Sequence, residues 1–163
     1  MNSYLDTMVD VLFVPRLTPW IENLKKRQVK APKVYLSVTG LLHALLHLQT
    51  EPALLGHPKS WASWEGFAMH EAVRILSADR EECHHWATHG GVEIELVVFS
   101  GGIRIGFEYK RTSAPIMTRS MHVVLAELRL ERIHVLVPGH ARFRLHECVE
   151  AVGLGRPCAG GLE

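Results

Sequence analysis

The run from Val92 to Lys110 constrains this chain more than any other stretch. Val92-Glu93-Ile94-Glu95-Leu96-Val97-Val98-Phe99 is rich in β-branched residues and reads as a strand. Ser100-Gly101-Gly102 is a tight hairpin signal. Beyond it, Ile103, Ile105, Phe107 and Tyr109 alternate with Arg104, Gly106, Glu108 and Lys110, the period of a second strand. On either side of this hairpin the periodicity is helical. Trp64 to Leu76 places Trp64, Phe67, Ala68, Val73 and Leu76 on a helix, and Thr118 to Leu130 gathers Met121, Val124, Leu125 and Leu128 on one face. His85–Thr88 and Ile133–Val137 read as flanking strands. The order from Trp64 onward is therefore α-β-β-β-α-β, an α/β core with a mixed sheet.

The N-terminal part has a different character. Ser3 can cap a helix carrying Leu5, Met8, Val9 and Leu12 at i, i+3, i+4 and i+7. Pro15, Pro19 and Pro32 make Val14 to Lys33 a loop with short extended pieces. Val34-Tyr35-Leu36 suggests a short strand, and Leu41 to Leu48 a helix. Pro52, Gly56 and Pro58 mark the most plausible boundary, which divides the chain into a helical and extended segment over 1–57 and the α/β core over 58–163. After Pro138-Gly139 a weak strand is expected around Phe143 and Leu145, followed by Gly-rich sequence.

Composition narrows the class. Eighteen Lys and Arg balance 17 Asp and Glu in 163 residues, which excludes a histone-like polycation and an acidic solvating tail. A hydrophobic content of 47% is too high for a disordered chain. No apolar run approaches the roughly 18 residues of a membrane span, and Met1-Asn2-Ser3-Tyr4 has no basic start of a signal peptide. Cys83, Cys148 and Cys158 are odd in number and widely spaced, which fits reduced thiols. The expected setting is cytoplasmic, with no membrane partner.

The chemistry-bearing residues fall on successive core elements. Glu65 sits in the first turn of a helix, Glu95 on the second strand of the core, and Glu108 and Lys110 on the third. Residues two apart on a strand share a face, so Glu108 and Lys110 point together, away from Phe107 and Tyr109. Hairpin pairing can bring Glu95 near Glu108. Carboxylates sharing one site repel unless a proton or cation intervenes, and Mg2+, with Mn2+ as substitute, is the natural hard ion. Glu95 and Glu108 would hold it, with Glu65 completing the site and Lys110 positioning a water or stabilising charge on a phosphate.

The E-x-K strand behind a hairpin and an acid-bearing strand resembles the PD-(D/E)xK nuclease-like superfamily. The fuller resemblance covers nearly the whole chain and is to a C-terminal domain of unknown function in a family of prokaryotic AAA-type ATPases. It rests on Leu17-Thr18-Pro19-Trp20, Lys30-Ala31-Pro32-Lys33-Val34-Tyr35-Leu36, Gly40-Leu41-Leu42-His43-Ala44-Leu45-Leu46, Gly56-His57-Pro58, Trp64-Glu65-Gly66-Phe67, Thr88-His89-Gly90-Gly91-Val92-Glu93-Ile94-Glu95-Leu96 and Gly106-Phe107-Glu108-Tyr109-Lys110. The resemblance implies a restriction-endonuclease-like core behind a helical piece that joins it to the ATPase. It matches Glu65 to the helix acid, Glu95 to the middle-strand acid and Glu108 with Lys110 to the E-x-K pair. Glu95 stands where that family usually has Asp, and Val38 where it commonly has Asp. No G-x-x-x-x-G-K-[S/T] phosphate loop occurs, so no nucleotide site is expected in this chain.

Two functional readings follow. One is an accessory nuclease-like domain of an ATPase-type system that binds DNA or a protein partner. The other is a Mg2+-dependent phosphodiester hydrolase acting on DNA through Glu65, Glu95, Glu108 and Lys110. Lys25, Lys26, Arg27, Lys30 and Lys33 form the dense basic run, with Trp20 upstream. They read as a phosphate-contacting patch with a base-stacking ring or as a solvated loop. His43 and His47, spaced i, i+4, and the group Cys83, His84, His85 and His89 read as structural histidines rather than metal ligands.

Overall fold

The computed structural model describes residues 7, 15–22, 26–36 and 38–155. The expected Ser3–Leu12 helix (Thr7 apart), Lys25 and Cys158 lie outside them. The described chain is a mixed α/β fold with one eight-stranded mixed sheet and four α-helices. In chain order the strands are β1 (Arg16–Pro19), β2 (Lys33–Val34), β3 (Cys83–Ala87), β4 (Glu93–Ser100), β5 (Ile103–Tyr109), β6 (Arg132–Val137), β7 (Arg142–His146) and β8 (Val149–Gly153). The helices are α1 (Thr39–Leu45), α2 (Glu51–Gly56), α3 (Ser60–Leu76) and α4 (Arg119–Glu127). A 3-10 turn, Arg80–Glu82, leads into β3.

The β4–β5 hairpin closes with Ser100 opposite Ile103, leaving Gly101 and Gly102 as a two-residue loop. Both have positive φ, 59° and 82°, the geometry that matches strand twist and that glycine adopts without strain. Across the sheet the order is β2-β1-β3-β4-β5-β6-β8-β7. The β5–β6 and β6–β8 pairs are parallel, as is β1–β3, and the rest are antiparallel. The element order α3-β3-β4-β5-α4-β6 matches the order expected from the periodicity.

Two elements depart from that expectation. Glu51–Gly56 is a helix inside the stretch whose prolines and glycine mark the boundary between the two segments, where no helix is expected. Pro52 falls in the first turn, where its missing N–H is no loss, and the Thr50 hydroxyl caps the helix by accepting from the Ala53 N–H at 3.4 Å. Val149–Gly153 is a strand inserted between β6 and β7. Its ordering comes from parallel pairing with β6, Ile133 opposite Val149 through Val137 opposite Gly153.

The sheet separates two apolar layers. Beneath α3, Ala68, Met69 and Ala72 pack on Leu96, Val98, Phe107, Tyr109 and Leu136. On the other face, Met121 and Val124 of α4 pack on Ile94, Val97, Ile133 and Val135. Helix α3 lies so close to the segment after β2 that a Cβ at Gly66 would stand 2.9 Å from the backbone oxygen of Leu36. Gly66→Ala is therefore expected to push Leu36 off α3 and cost about 1–3 kcal/mol. Urea denaturation measures this, and an unchanged midpoint would show that the two segments separate freely.

Candidate functional site

A β-bulge sets the position of Glu95. On β3 and β4, His84 pairs with Val97 and Trp86 with Ile94, so His85 alone faces both Glu95 and Leu96. Such a bulge re-aims side chains. Here Glu95 meets residues on the α3 side of the sheet. Its Oε2 accepts from Lys33 Nζ at 2.6 Å and from the Tyr35 hydroxyl at 3.2 Å. Lys33 also reaches Glu93 Oε2 at 3.5 Å. The side chains of Lys33 and Glu95 are 27% and 14% exposed, so this is a largely sheltered ion pair.

Glu65, on α3, is electrostatically coupled to the same group. Burial holds its pKa above the usual carboxylate value, Glu95 adds to the rise, and Lys33 opposes it. Burial alone would lower the Lys33 pKa, but Glu95 and Glu93 outweigh it and keep the ammonium above the ordinary lysine value. The Tyr35 phenol is pushed up by burial and then by Glu95 and Glu65. The Tyr109 hydroxyl is buried and, among the described residues, has no hydrogen-bond partner, and its pKa is raised in the same way.

Glu108 belongs to a second subsite. It lies between Phe107 and Tyr109, whose rings pack beneath α3, so strand alternation turns Glu108 and Lys110 to the other side of β5. Lys110 Nζ stands 3.2 Å from Glu108 Oε2, and the Glu108 side chain is only 6% exposed. Burial pushes the Glu108 pKa up to about 7, with Lys110 pulling it down and Glu95 adding to the rise.

The four sequence-identified groups thus fall into two subsites, the Lys33–Glu95 ion pair with Glu65 electrostatically coupled to it, and Glu108 with Lys110. Hard oxygen donors are present, but a protein ammonium sits on each of Glu95 and Glu108. Among the described residues, no three His, Cys, Asp or Glu side chains are grouped so as to hold a metal ion. As placed, Glu65, Glu95 and Glu108 do not form a ready ligand set for Mg2+ or Mn2+. Lys33 and Tyr35 are members that the sequence reading left out of this site. A signal existed, since the two are spaced i, i+2 beside a short strand and can share a face.

The basic run is spread over several environments. Lys26 pairs with Glu127. Arg27 and Lys30 are exposed and, with Lys26 and His89, line a cavity of about 630 Å³. Lys33 belongs to the carboxylate cluster. The Trp20 ring packs 4.2 Å from the Phe99 ring, the Arg104 guanidinium lies 5.8 Å from its centroid, and its indole N–H donates to Glu22. His43 Nε2 is 2.7 Å from Ser63 Oγ, and His85 Nε2 donates to the Ala31 carbonyl at 3.0 Å. Among the described residues, no helix is long and apolar enough to cross a membrane.

Comparison with known proteins adds family context. The model for Domain of unknown function (DUF8612) matches residues 1–52, and that for Domain of unknown function (DUF4143) matches residues 62–156. The chain is 43% identical over 151 residues, 93% of its length, to uncharacterized proteins of Mycobacterium tuberculosis (strain H37Rv) and Mycobacterium bovis. It spans about a third of the length of these curated relatives, 34% in each case. No solved structure matches it.

Proposed function

The chain belongs to the family defined by Domain of unknown function (DUF4143), and from that premise we propose that it is an accessory module on a restriction-endonuclease-like scaffold that binds nucleic acid without cutting it. The element order α3-β3-β4-β5-α4-β6, with acids on α3, β4 and β5, supports the scaffold. The partition of charge carries the functional reading. Lys33 and Lys110 compensate Glu95 and Glu108 from within, whereas Arg27 and Lys30 face solvent around a cavity of about 630 Å³. Among the described residues neither Arg27 nor Lys30 pairs with a carboxylate, which leaves both free to neutralise phosphates and release counterions. In this reading the module serves an ATPase-type protein partner in the cytoplasm.

The expected result is that Arg27→Ala with Lys30→Ala lowers the salt slope of DNA binding by about 2 units, one for each lost phosphate contact. Fluorescence anisotropy over a salt series measures it, and an unchanged slope would remove this loop from the interface. A second reading, the Mg2+-dependent hydrolase, is favoured by the three acids on α3, β4 and β5 and opposed by the ammonium on Glu95. Plasmid cleavage that requires Mg2+ or Mn2+ and disappears in Lys110→Ala would establish that reading in place of the first.

A further inference from the structure

A pocket of about 260 Å³ lies among α1, α2 and α3, away from the cavity at Arg27 and Lys30. None of its lining residues is acidic. Arg111, just after β5, reaches it with a guanidinium that has neutral neighbours. Its Nη1 donates to Ser60 Oγ at 2.5 Å, and its Cζ lies 5.7 Å from the Trp61 ring centroid. Among the described residues, Arg111 makes no ion pair with a carboxylate. One bond to Ser60 leaves most of a five-donor fork unused.

Trp64 also lines this pocket, and among the described residues its buried indole N–H finds no acceptor. Buried donors ordinarily find partners, and one left over at a cavity asks for an acceptor. Leu54, Leu55 and Phe67 give the same pocket an apolar lining. An uncompensated cation and an orphan donor select an oxyanion, and the aliphatic and aromatic wall selects a short apolar tail. The volume sits near the lower end of small-molecule sites, which limits the ligand to roughly 10–13 heavy atoms.

We propose that this pocket binds a small amphipathic anion, its carboxylate or phosphate head on Arg111 and its tail against Leu54, Leu55 and Phe67. A guanidinium recognises both head groups by paired N–H···O bonds.

The test is a thermal-shift titration of the whole chain with octanoate, octyl phosphate and octylamine. Octanoate should raise the melting temperature saturably, and octylamine, with the same tail and the opposite charge, should not. Octyl phosphate separates the two heads, since a larger shift than octanoate assigns a phosphate ligand and a smaller one a carboxylate. Arg111→Met should weaken octanoate binding about tenfold. Equal shifts from octylamine and octanoate, or an unchanged affinity in Arg111→Met, would overturn the proposal. If Arg111→Met does not fold, NMR of the native protein decides. The indole N–H resonance lost in Trp64→Phe should move downfield on adding octanoate, and a stationary resonance counts against the site.

Discussion

Replacing Lys33 with alanine is expected to destabilise the protein by about 2–4 kcal/mol near neutral pH, the range for breaking a sheltered pair from one side. The cost comes from what remains. Without the ammonium, Glu95 keeps, among the described residues, the Tyr35 hydroxyl as its one neutral donor, and Glu65 and Glu93 add like charge beside it. The same change at Lys30, which is exposed, should stay within about 0.5 kcal/mol. The difference should also depend on pH in a definite direction. Because the Lys33 pKa is raised, its stabilisation is complete below the ordinary lysine value and fades only as pH climbs through the higher folded value. At the acidic end the loss shrinks as the carboxylates take up protons. Urea denaturation of both variants over a pH series measures this, and equal small losses would reduce the Lys33–Glu95 contact to an ordinary surface pair. Mg2+ gives the same experiment a second arm. It should recover part of the stability of Lys33→Ala, in which the carboxylates are left open, and leave the native protein unmoved. A Mg2+-dependent rise in the native protein would mean that the ion displaces Lys33, and would favour the hydrolase reading.

What the sequence made legible follows the range of the interactions involved. The β4–β5 hairpin was readable because all its determinants are neighbours, from the two glycines to the alternation of Ile103 through Tyr109. The α3 and α4 helices were readable for the same reason. Strand β8 was not, because it is ordered by parallel pairing with β6, a partner its own residues do not announce. The helix at Glu51–Gly56 is hard to read locally, because a proline that breaks a helix interior starts one equally well when Thr50 caps it. The acids at Glu65, Glu95 and Glu108 could be named, but their grouping could not. The bulge that turns Glu95 toward α3 is a property of the β3–β4 ladder rather than of either strand. Adjacency along the chain groups Lys33 with Lys25, Lys26, Arg27 and Lys30, whereas its governing partner is 62 residues away.

Glu108→Gln is expected to stabilise the protein at about pH 8 by up to about 3 kcal/mol, a gain that removing a carboxylate from an ion pair would not ordinarily bring. The sign follows from burial. The folded pKa of Glu108 is about 7, against 4.5 for an ordinary glutamate, so the folded state holds the proton more tightly than the unfolded chain does. Stability from this group therefore falls as pH rises from about 4.5 to 7 and remains lost above that. At about 1.4 kcal/mol per pKa unit, the shift amounts to about 3 kcal/mol. Glutamine has nearly the same shape, carries no charge to desolvate and still offers Lys110 an acceptor. Lys110, with its side chain 36% exposed, is solvated well enough to lose its carboxylate for about 1 kcal/mol or less. The native protein should thus weaken between about pH 5 and 7.5 along a slope that Glu108→Gln lacks, as read by urea denaturation across that interval. Lower stability of Glu108→Gln at about pH 8 would mean that the ionised pair with Lys110 outweighs its desolvation. That result would return Glu108 to the role of a fully charged carboxylate, the form a divalent ion requires. A gain at the same pH would instead describe a carboxyl that remains partly protonated near neutrality, matched to its own lysine and poorly suited to holding a metal.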